Sequence, residues 1–225
     1  MWKTTFATLR GNKRRVLSTS WAVILGVAFL AGTFVIGDTM RGGFSDLFQE
    51  ANANTDALVR SSTGIETEGV RQVGLLDQSL VDDIAALDGV AAAVPLVERA
   101  GMIVGADGDP IGGQGPPAVA GNWITDPAHN PYDLVDGRAP RAADEVVIDQ
   151  SSADIGKLSV GDRTFVRLPQ PVEVTVVGIA TFGAADSAGG STFAGFTLEA
   201  AQDLLLPDPG QIGRASCRER VFVGV

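Results

Sequence analysis

One long apolar run near the start of the chain constrains its fold more than any other feature. Residues 16–37 carry no charged side chain, while residues 1–15 hold five basic residues and no acidic one. At about 1.5 Å of rise per residue, roughly 20 helical residues cross the ~30 Å hydrocarbon core of a bilayer. The run therefore predicts a membrane-spanning helix over residues 16–37.

Trp21, Leu25, Phe29 and Phe34 are the expected membrane anchors within that helix. Trp21 suits the headgroup boundary, where aromatic rings are enriched. A cleaved or twin-arginine export signal is the alternative to an uncleaved anchor. A cleavable signal has an apolar core of only about 7–15 residues followed by small residues. The longer run here, which ends in the bulky FVIGDTM, favours the anchor.

The charge on either side of the run predicts its orientation. Basic flanking segments stay in the cytoplasm. We therefore expect a cell-membrane protein with residues 1–15 cytoplasmic and residues 38 onward outside. Trp2, Phe6 and Leu9 share one helical face beside Arg10, which predicts a short amphipathic helix in the cytoplasmic interface. An unstructured basic leader is the alternative.

The amino-acid sequence of the tail can be read as the translation of a sequencing adapter. Back-translation of residues 212–221, IGRASCRERV, reproduces a widely used sequencing adapter. We therefore interpret residues 212–225 as an adapter artefact and expect the natural protein to continue beyond about residue 211. Cys217, the only cysteine, lies in this tail. Without it, disulfides, a thiol nucleophile and cysteine metal sites are excluded.

Residues 38–211 are strongly acidic, with 9 basic and 26 acidic residues and a net charge of −17. A surface of this charge repels nucleic acid, so no nucleic-acid partner is expected.

Hydrophobic periodicity predicts a two-lobed α+β domain over residues 38–211, entered through a helical stalk at residues 38–53. The first lobe is expected to be a βαβ unit and the second a small mixed β structure. The predicted strands are 56–62, a run that starts at residue 90 and is interrupted at Pro95, 145–149, 163–168 and 172–181. One predicted helix begins near Asp77 and a second covers residues 196–206.

Side chains that could carry out catalysis are scarce. His129 is the sole histidine and lies in a Pro/Asn-rich stretch, so we expect a surface loop residue. One histidine cannot build an ordinary zinc site, and no nucleophile elbow is present to supply a serine. No phosphate-binding loop occurs either. The sequence therefore predicts no catalytic residue, no cofactor, no metal site and no enzymatic activity.

Three segments carry a family resemblance: residues 1–40, YDLVDGRAPRAADEVVID, and IGKLSVGDRTFVRL with the following VEVTVVGIATFG. In this order they resemble the opening and external core domain of MacB/FtsX-type ABC transporter permeases. The best-matched positions, for which we expect turn and strand-entry roles rather than substrate contact, are Gly137, Arg138, Pro140, Asp144, Glu145, Gly161 and Asp162.

The resemblance implies a non-catalytic subunit that works with a separate cytoplasmic ABC ATPase, as a dimer of permease subunits in the lipid membrane. ATP hydrolysis would then move the external domain, for export, lipoprotein or lipid handling, or mechanotransmission. Trp2, Phe6, Leu9 and Arg10 become candidates for the contact near the ATPase. Three further membrane helices are expected beyond the external domain. The alternative is a single-pass anchored extracytoplasmic binding or scaffold protein.

Overall fold

The computed structural model describes residues 13–52, 55–62, 64–67, 70–112 and 115–219. The chain forms two compact units, Met1–Asp46 and Leu47–Val225. The predicted interfacial helix lies almost entirely outside the described residues, and so do Trp2, Phe6, Leu9 and Arg10.

The first described element is α1 (Lys13–Asn52), a single helix of 40 residues. Within the described chain it holds one segment, Ser20–Thr39, that is long and apolar enough to cross a membrane. Trp21, Leu25, Phe29 and Phe34 on this segment are 58–76 % exposed. A helix that is apolar all round and uncovered by protein is typical of a lipid-facing span.

Polar side chains inside this helix bond to its own backbone. The Thr33 hydroxyl donates to the Phe29 carbonyl and the Thr39 hydroxyl donates to the Val35 carbonyl, each at 2.9 Å. Such bonds to the preceding turn satisfy a hydroxyl where water is absent. Residues 42–43, two glycines, do not interrupt the helix, so the predicted stalk is continuous with the predicted span.

The second unit combines fifteen strands with three short helices in the described chain. The helices are α2 (Ser79–Ala85), α3 (Gln150–Gly156) and α4 (Leu198–Leu205). The strands are β1 (Ala57–Arg60), β2 (Gly64–Thr67), β3 (Val70–Val73), β4 (Leu76–Asp77), β5 (Val90–Leu96), β6 (Glu98–Ala100), β7 (Met102–Ile103), β8 (Ala118–Asn122), β9 (Tyr132–Gly137), β10 (Glu145–Asp149), β11 (Arg163–Arg167), β12 (Pro171–Phe182), β13 (Thr192–Phe196), β14 (Gln211–Ile212) and β15 (Arg214–Glu219).

Four sheets are present in the described chain, and two of them are antiparallel pairs, β14 with β4 and β2 with β3. A three-stranded sheet has the strand order β1-β15-β5, and β15 is antiparallel to both neighbours. β1 and β5 are therefore parallel to one another, with α2 between them in sequence. This is the predicted βαβ unit, with a third strand inserted between its two strands. Val81 and Ile84 of α2 are buried, together with Ala215 and Cys217 of β15. Whether residues 212–225 derive from an adapter stays a prediction, because the fold of a segment does not reveal the origin of its codons.

The larger sheet has the order β6-β8-β13-β10-β12-β11-β7, and β9 also pairs with β12. Most of its central strand β10 is completely buried, whereas β11 alternates exposed and buried residues, as expected near a sheet edge. We expected this lobe to be small. It is the larger of the two, because β6, β7 and β8 from the first half of the chain join it.

Some predicted boundaries differ from the structure. Pro95 does not interrupt β5; it pairs with Ala215, and the strand ends one residue later. A proline is tolerated there because β5 is an edge strand of its sheet. β9 and β13 were not predicted: β9 is acidic and exposed, and β13 is short and contains small residues.

Candidate functional site

The motif residues singled out in the sequence meet at one short stretch of β12, residues 175–177. Three backbone hydrogen bonds connect the motif to this stretch. The Thr175 amide donates to the Asp144 carbonyl at 2.7 Å, the Gly161 amide donates to the Val176 carbonyl at 2.7 Å, and the Arg138 amide donates to the Val177 carbonyl at 2.9 Å. The register between β10 and β12 also shifts here, as in a β-bulge. Two turns from distant parts of the sequence therefore hold β12 where its ladder is irregular.

Gly137 ends β9 and begins the first of these turns. Its φ of +73° lies in the left-handed region that glycine adopts without strain. A Cβ at this position would collide with the backbone carbonyl oxygen of Val177. Glycine is therefore required here both by its backbone conformation and by the close approach of β12.

An ion pair closes the same turn. The Arg138 guanidinium donates to both carboxylate oxygens of Glu145, at 2.7 and 2.5 Å, and the amide of Arg141 donates to one of them at 2.8 Å. A contact through two parallel hydrogen bonds fixes the relative orientation of the two side chains as well as bringing their opposite charges together. The hydrogen bonds from Arg138, followed by the one from Arg141, lower the pKa of Glu145 to about 2. Pro140, which has no amide hydrogen to donate, lies inside the loop that this pair closes.

Asp162 organises the second turn. Its carboxylate accepts the Ser159 amide at 2.8 Å, and its own amide donates to the Ser159 carbonyl at 3.1 Å. Its carbonyl accepts the Val176 amide at 2.8 Å. Gly161 beside it has a φ of +101°, and a Cβ there would meet open space.

The polar groups of these motif residues are largely engaged with one another. Arg138 and Glu145 occupy each other, Asp162 caps its own turn, and Asp144 contributes a backbone carbonyl while its side chain is exposed. The arrangement can position β9, β10 and β11 against β12. That these residues do not contact a substrate stays a prediction.

A buried carboxylate that the sequence analysis did not single out lies at the end of β10. Asp149 caps α3 by accepting the Ser152 amide at 2.9 Å, and it also accepts the Ser152 hydroxyl at 2.5 Å and the Phe193 amide at 2.7 Å. Burial raises its pKa. Asp149 thus joins β10, α3 and β13. An aspartate followed three residues later by serine, at the end of an apolar run, is the sequence signal that could have revealed it.

The expectation that His129 is a surface residue is wrong. Its side chain is 2 % exposed, and its Nδ1 lies 2.7 Å from the Asp126 carboxylate. The loop folds back on Asp126, whose carbonyl accepts the amides of His129 and Asn130. Hydrogen bonds from the Ala128 amide and then from His129 lower the pKa of Asp126. This local turn buries the ring in a segment whose composition is that of a surface loop.

Within the described ranges, no three side chains among His, Cys, Asp and Glu are grouped so that they could hold a metal ion.

Comparison with known proteins gives one family and a set of structural relatives. The model of the MacB-like periplasmic core domain matches residues 17–221. The periplasmic region of MacB from Actinobacillus actinomycetemcomitans is similar in fold, with a TM-score of 0.52 and 11 % identity over 77 % of this chain and 79 % of that one. The extracellular domain of the noncanonic ABC-type transporter YknZ from Gram-positive bacteria has a TM-score of 0.46 and 13 % identity, over 73 % of this chain and 83 % of that one. No curated protein sequence matches the chain.

Proposed function

The chain belongs to the family of the MacB-like periplasmic core domain, the external domain of MacB/FtsX-type ABC transporter permeases. On this premise we propose that it couples ATP hydrolysis by a separate cytoplasmic ATPase to movement of the external domain. The observation that carries the proposal is the family match over residues 17–221, which includes both the apolar helix and the domain.

The continuity of α1 supports such coupling. One helix runs from Lys13 through the apolar segment to Asn52, and β1 begins at Ala57. Only residues 53–56 separate the two elements in the sequence, so a displacement of the helix would reach the sheet of β1 through a short connection.

The charge pattern supports the orientation that this function needs. The basic head at residues 1–15 is proposed to be cytoplasmic, and the domain from residue 38 onward extracytoplasmic. The ATP-hydrolysing site is proposed to belong to the partner subunit, because this sequence contains no phosphate-binding loop. We propose that two permease subunits work together and that the chain itself is not an enzyme.

Co-purification with an ATPase tests the proposal. We propose that the natural protein continues beyond residue 211; the complete protein is co-expressed with the ABC ATPase that we expect its locus to encode, and is purified in nanodiscs. We expect a stable complex that hydrolyses ATP. A variant in which Trp2, Phe6 and Leu9 are replaced by alanine should retain the folded external domain and lose the ATPase, because these residues form the proposed contact.

A matched control replaces three exposed apolar residues of the external domain, Leu87, Ile155 and Val160, by alanine. This variant should keep the ATPase. Full-length protein that binds no ATPase, or a locus with a stop codon soon after residue 211, would instead identify a single-pass anchored binding protein.

A further inference from the structure

Strand β9 leaves one edge of the larger sheet open. β10 pairs with one side of β12, while β11 and β9 lie end to end along the other side, at residues 171–175 and 178–182 of β12. The outer edge of β11 is paired with β7. β9 pairs only with β12 among the strands of the described chain, so the position beside it, in line with β7, has no strand.

The residues of this open edge are solvent-exposed. All five residues from Asp133 to Gly137 are exposed, including two large apolar side chains: Leu134 is 39 % and Val135 is 54 % exposed. Val135 is the extra residue of a bulge in this strand, because Leu134 pairs with Ala180 and Asp136 with Ile179. On either side of the bulge, alternate backbone amides and carbonyls of an antiparallel strand face away from the paired neighbour. An exposed edge of this kind can accept a further strand from another chain.

The charges on β9 decide which strand could be accepted. Asp133 and Asp136 flank the two apolar residues, and neither is in an ion pair in the described part of the protein. If two copies of β9 paired so that Leu134 met Val135, Asp133 of each copy would lie opposite Asp136 of the other. Like charges directly opposite one another destabilise a strand pair. In that register, a second copy of this chain is therefore a poor partner for this edge.

A basic strand has the complementary pattern. Lysine or arginine placed opposite Asp133 and Asp136 would form favourable cross-strand pairs, and β-branched residues between them would cover Leu134 and Val135. We propose that β9 is a docking edge for an extended, basic segment of a partner protein on the domain's side of the membrane. The proposal goes beyond coupling to an ATPase and does not depend on it.

Peptide binding to the full chain in nanodiscs of zwitterionic lipid tests this inference. The probe is a fluorescent seven-residue peptide that contains the pattern lysine-valine-valine-lysine, which can place a lysine opposite both Asp133 and Asp136, and binding is followed by fluorescence polarisation. Replacing lysine by glutamate in the peptide should abolish binding. Methylating the backbone amides on one edge of the peptide should weaken binding by about tenfold or more, because it keeps the charge and removes the main-chain hydrogen bonds.

The matched protein variants are D133K/D136K and D107K/D109K, which change the net charge equally. Asp107 and Asp109 are exposed on a separate turn. The β9 variant should bind the lysine peptide about tenfold more weakly and acquire binding of the glutamate peptide, whereas the control should bind as the parent does. If both variants lost affinity for the lysine peptide equally, or if the methylated peptide bound as tightly as the unmethylated one, the proposal would be overturned. Either result would show charge attraction without strand pairing. So would a concentration-dependent dimer of the parent that D133K/D136K abolishes, since it would assign the edge to a second copy.

Discussion

Gly137 and Gly161 provide a matched pair of positions at which a single added methyl group tests the packing of the motif against β12. Both glycines have positive φ, +73° and +101°. Both lie in turns bonded to the same stretch of β12. They differ in their surroundings, because a Cβ at Gly137 would collide with the Val177 carbonyl and a Cβ at Gly161 would meet nothing within 4 Å.

Alanine at either position adopts a backbone conformation that costs an L-residue about 1–2 kcal/mol. Gly161 lies farther from the left-handed minimum near +57°, so its conformational cost is at least as large. At Gly137 the Val177 carbonyl must also move, which breaks its hydrogen bond from Arg138, worth about 1 kcal/mol, and distorts the bulge. We expect Gly137→Ala to lower the free energy of unfolding by about 3 kcal/mol and Gly161→Ala by about 1–2 kcal/mol.

Urea unfolding of the full chain in detergent, followed by near-ultraviolet circular dichroism, measures both values. The dependence of the unfolding free energy on urea concentration should be the same in both variants, so that the shift in midpoint reports stability. Equal destabilisation by the two substitutions, within about 0.5 kcal/mol, would refute the claim that Gly137 is required by the close approach of β12.

Three further outcomes are expected. Glu145→Gln should be less stable than the parent at pH 7, because it loses the contact with Arg138. The pKa of Glu145 in the folded protein is lowered from 4.5 to about 2, so this stabilisation is fully present above pH 4.5 and is lost as the pH falls towards 2. The urea midpoints of the two proteins should therefore converge at acid pH. A difference that stays constant with pH would contradict the stabilising role of the Arg138–Glu145 ion pair. Asp149→Asn should lower the free energy of unfolding by about 2–3 kcal/mol, because one amide cannot accept all three buried hydrogen bonds. Thermal unfolding should show a lower midpoint for this variant than for the exposed control Asp154→Asn. Protease added outside intact cells should digest residues beyond 38 and spare the head, and the reverse pattern would contradict the proposed orientation.

Local sequence patterns predicted the elements with a strong period or clear end signals. The apolar run, the β-branched strands near residues 145–182 and the helix before Pro207 have such patterns, and each is present in the structure. The βαβ unit was also predictable, because α2 has helical spacing between two apolar strands. The individual helices and strands depend on interactions between residues close in sequence, whereas the insertion of β15 between β1 and β5 does not and was not predicted.

Features that depend on distant contacts were not predictable. The motif glycines, Arg138 and Glu145 could be identified in the sequence, but the ion pair between Arg138 and Glu145 could not. The common contact of the two turns with residues 175–177 was not predictable either, because these turns are separated by a helix and a strand. His129 is buried by a turn whose composition is that of a surface loop. β9 is acidic and exposed, and it forms a strand because β12 extends beyond β11 and offers it a partner.

The central claim is that ATP turnover in the cytoplasm moves the external domain, and the distance between that domain and the membrane tests it most directly. Full-length protein carrying a donor dye on V160C, an exposed site, is assembled with the proposed partner ATPase in nanodiscs that contain acceptor-labelled headgroups. Energy transfer should change when ATP is added and return as ATP is consumed, and it should stay constant with an ATPase that cannot bind nucleotide. Energy transfer that does not respond to ATP in an active complex would contradict the coupling proposed for this chain.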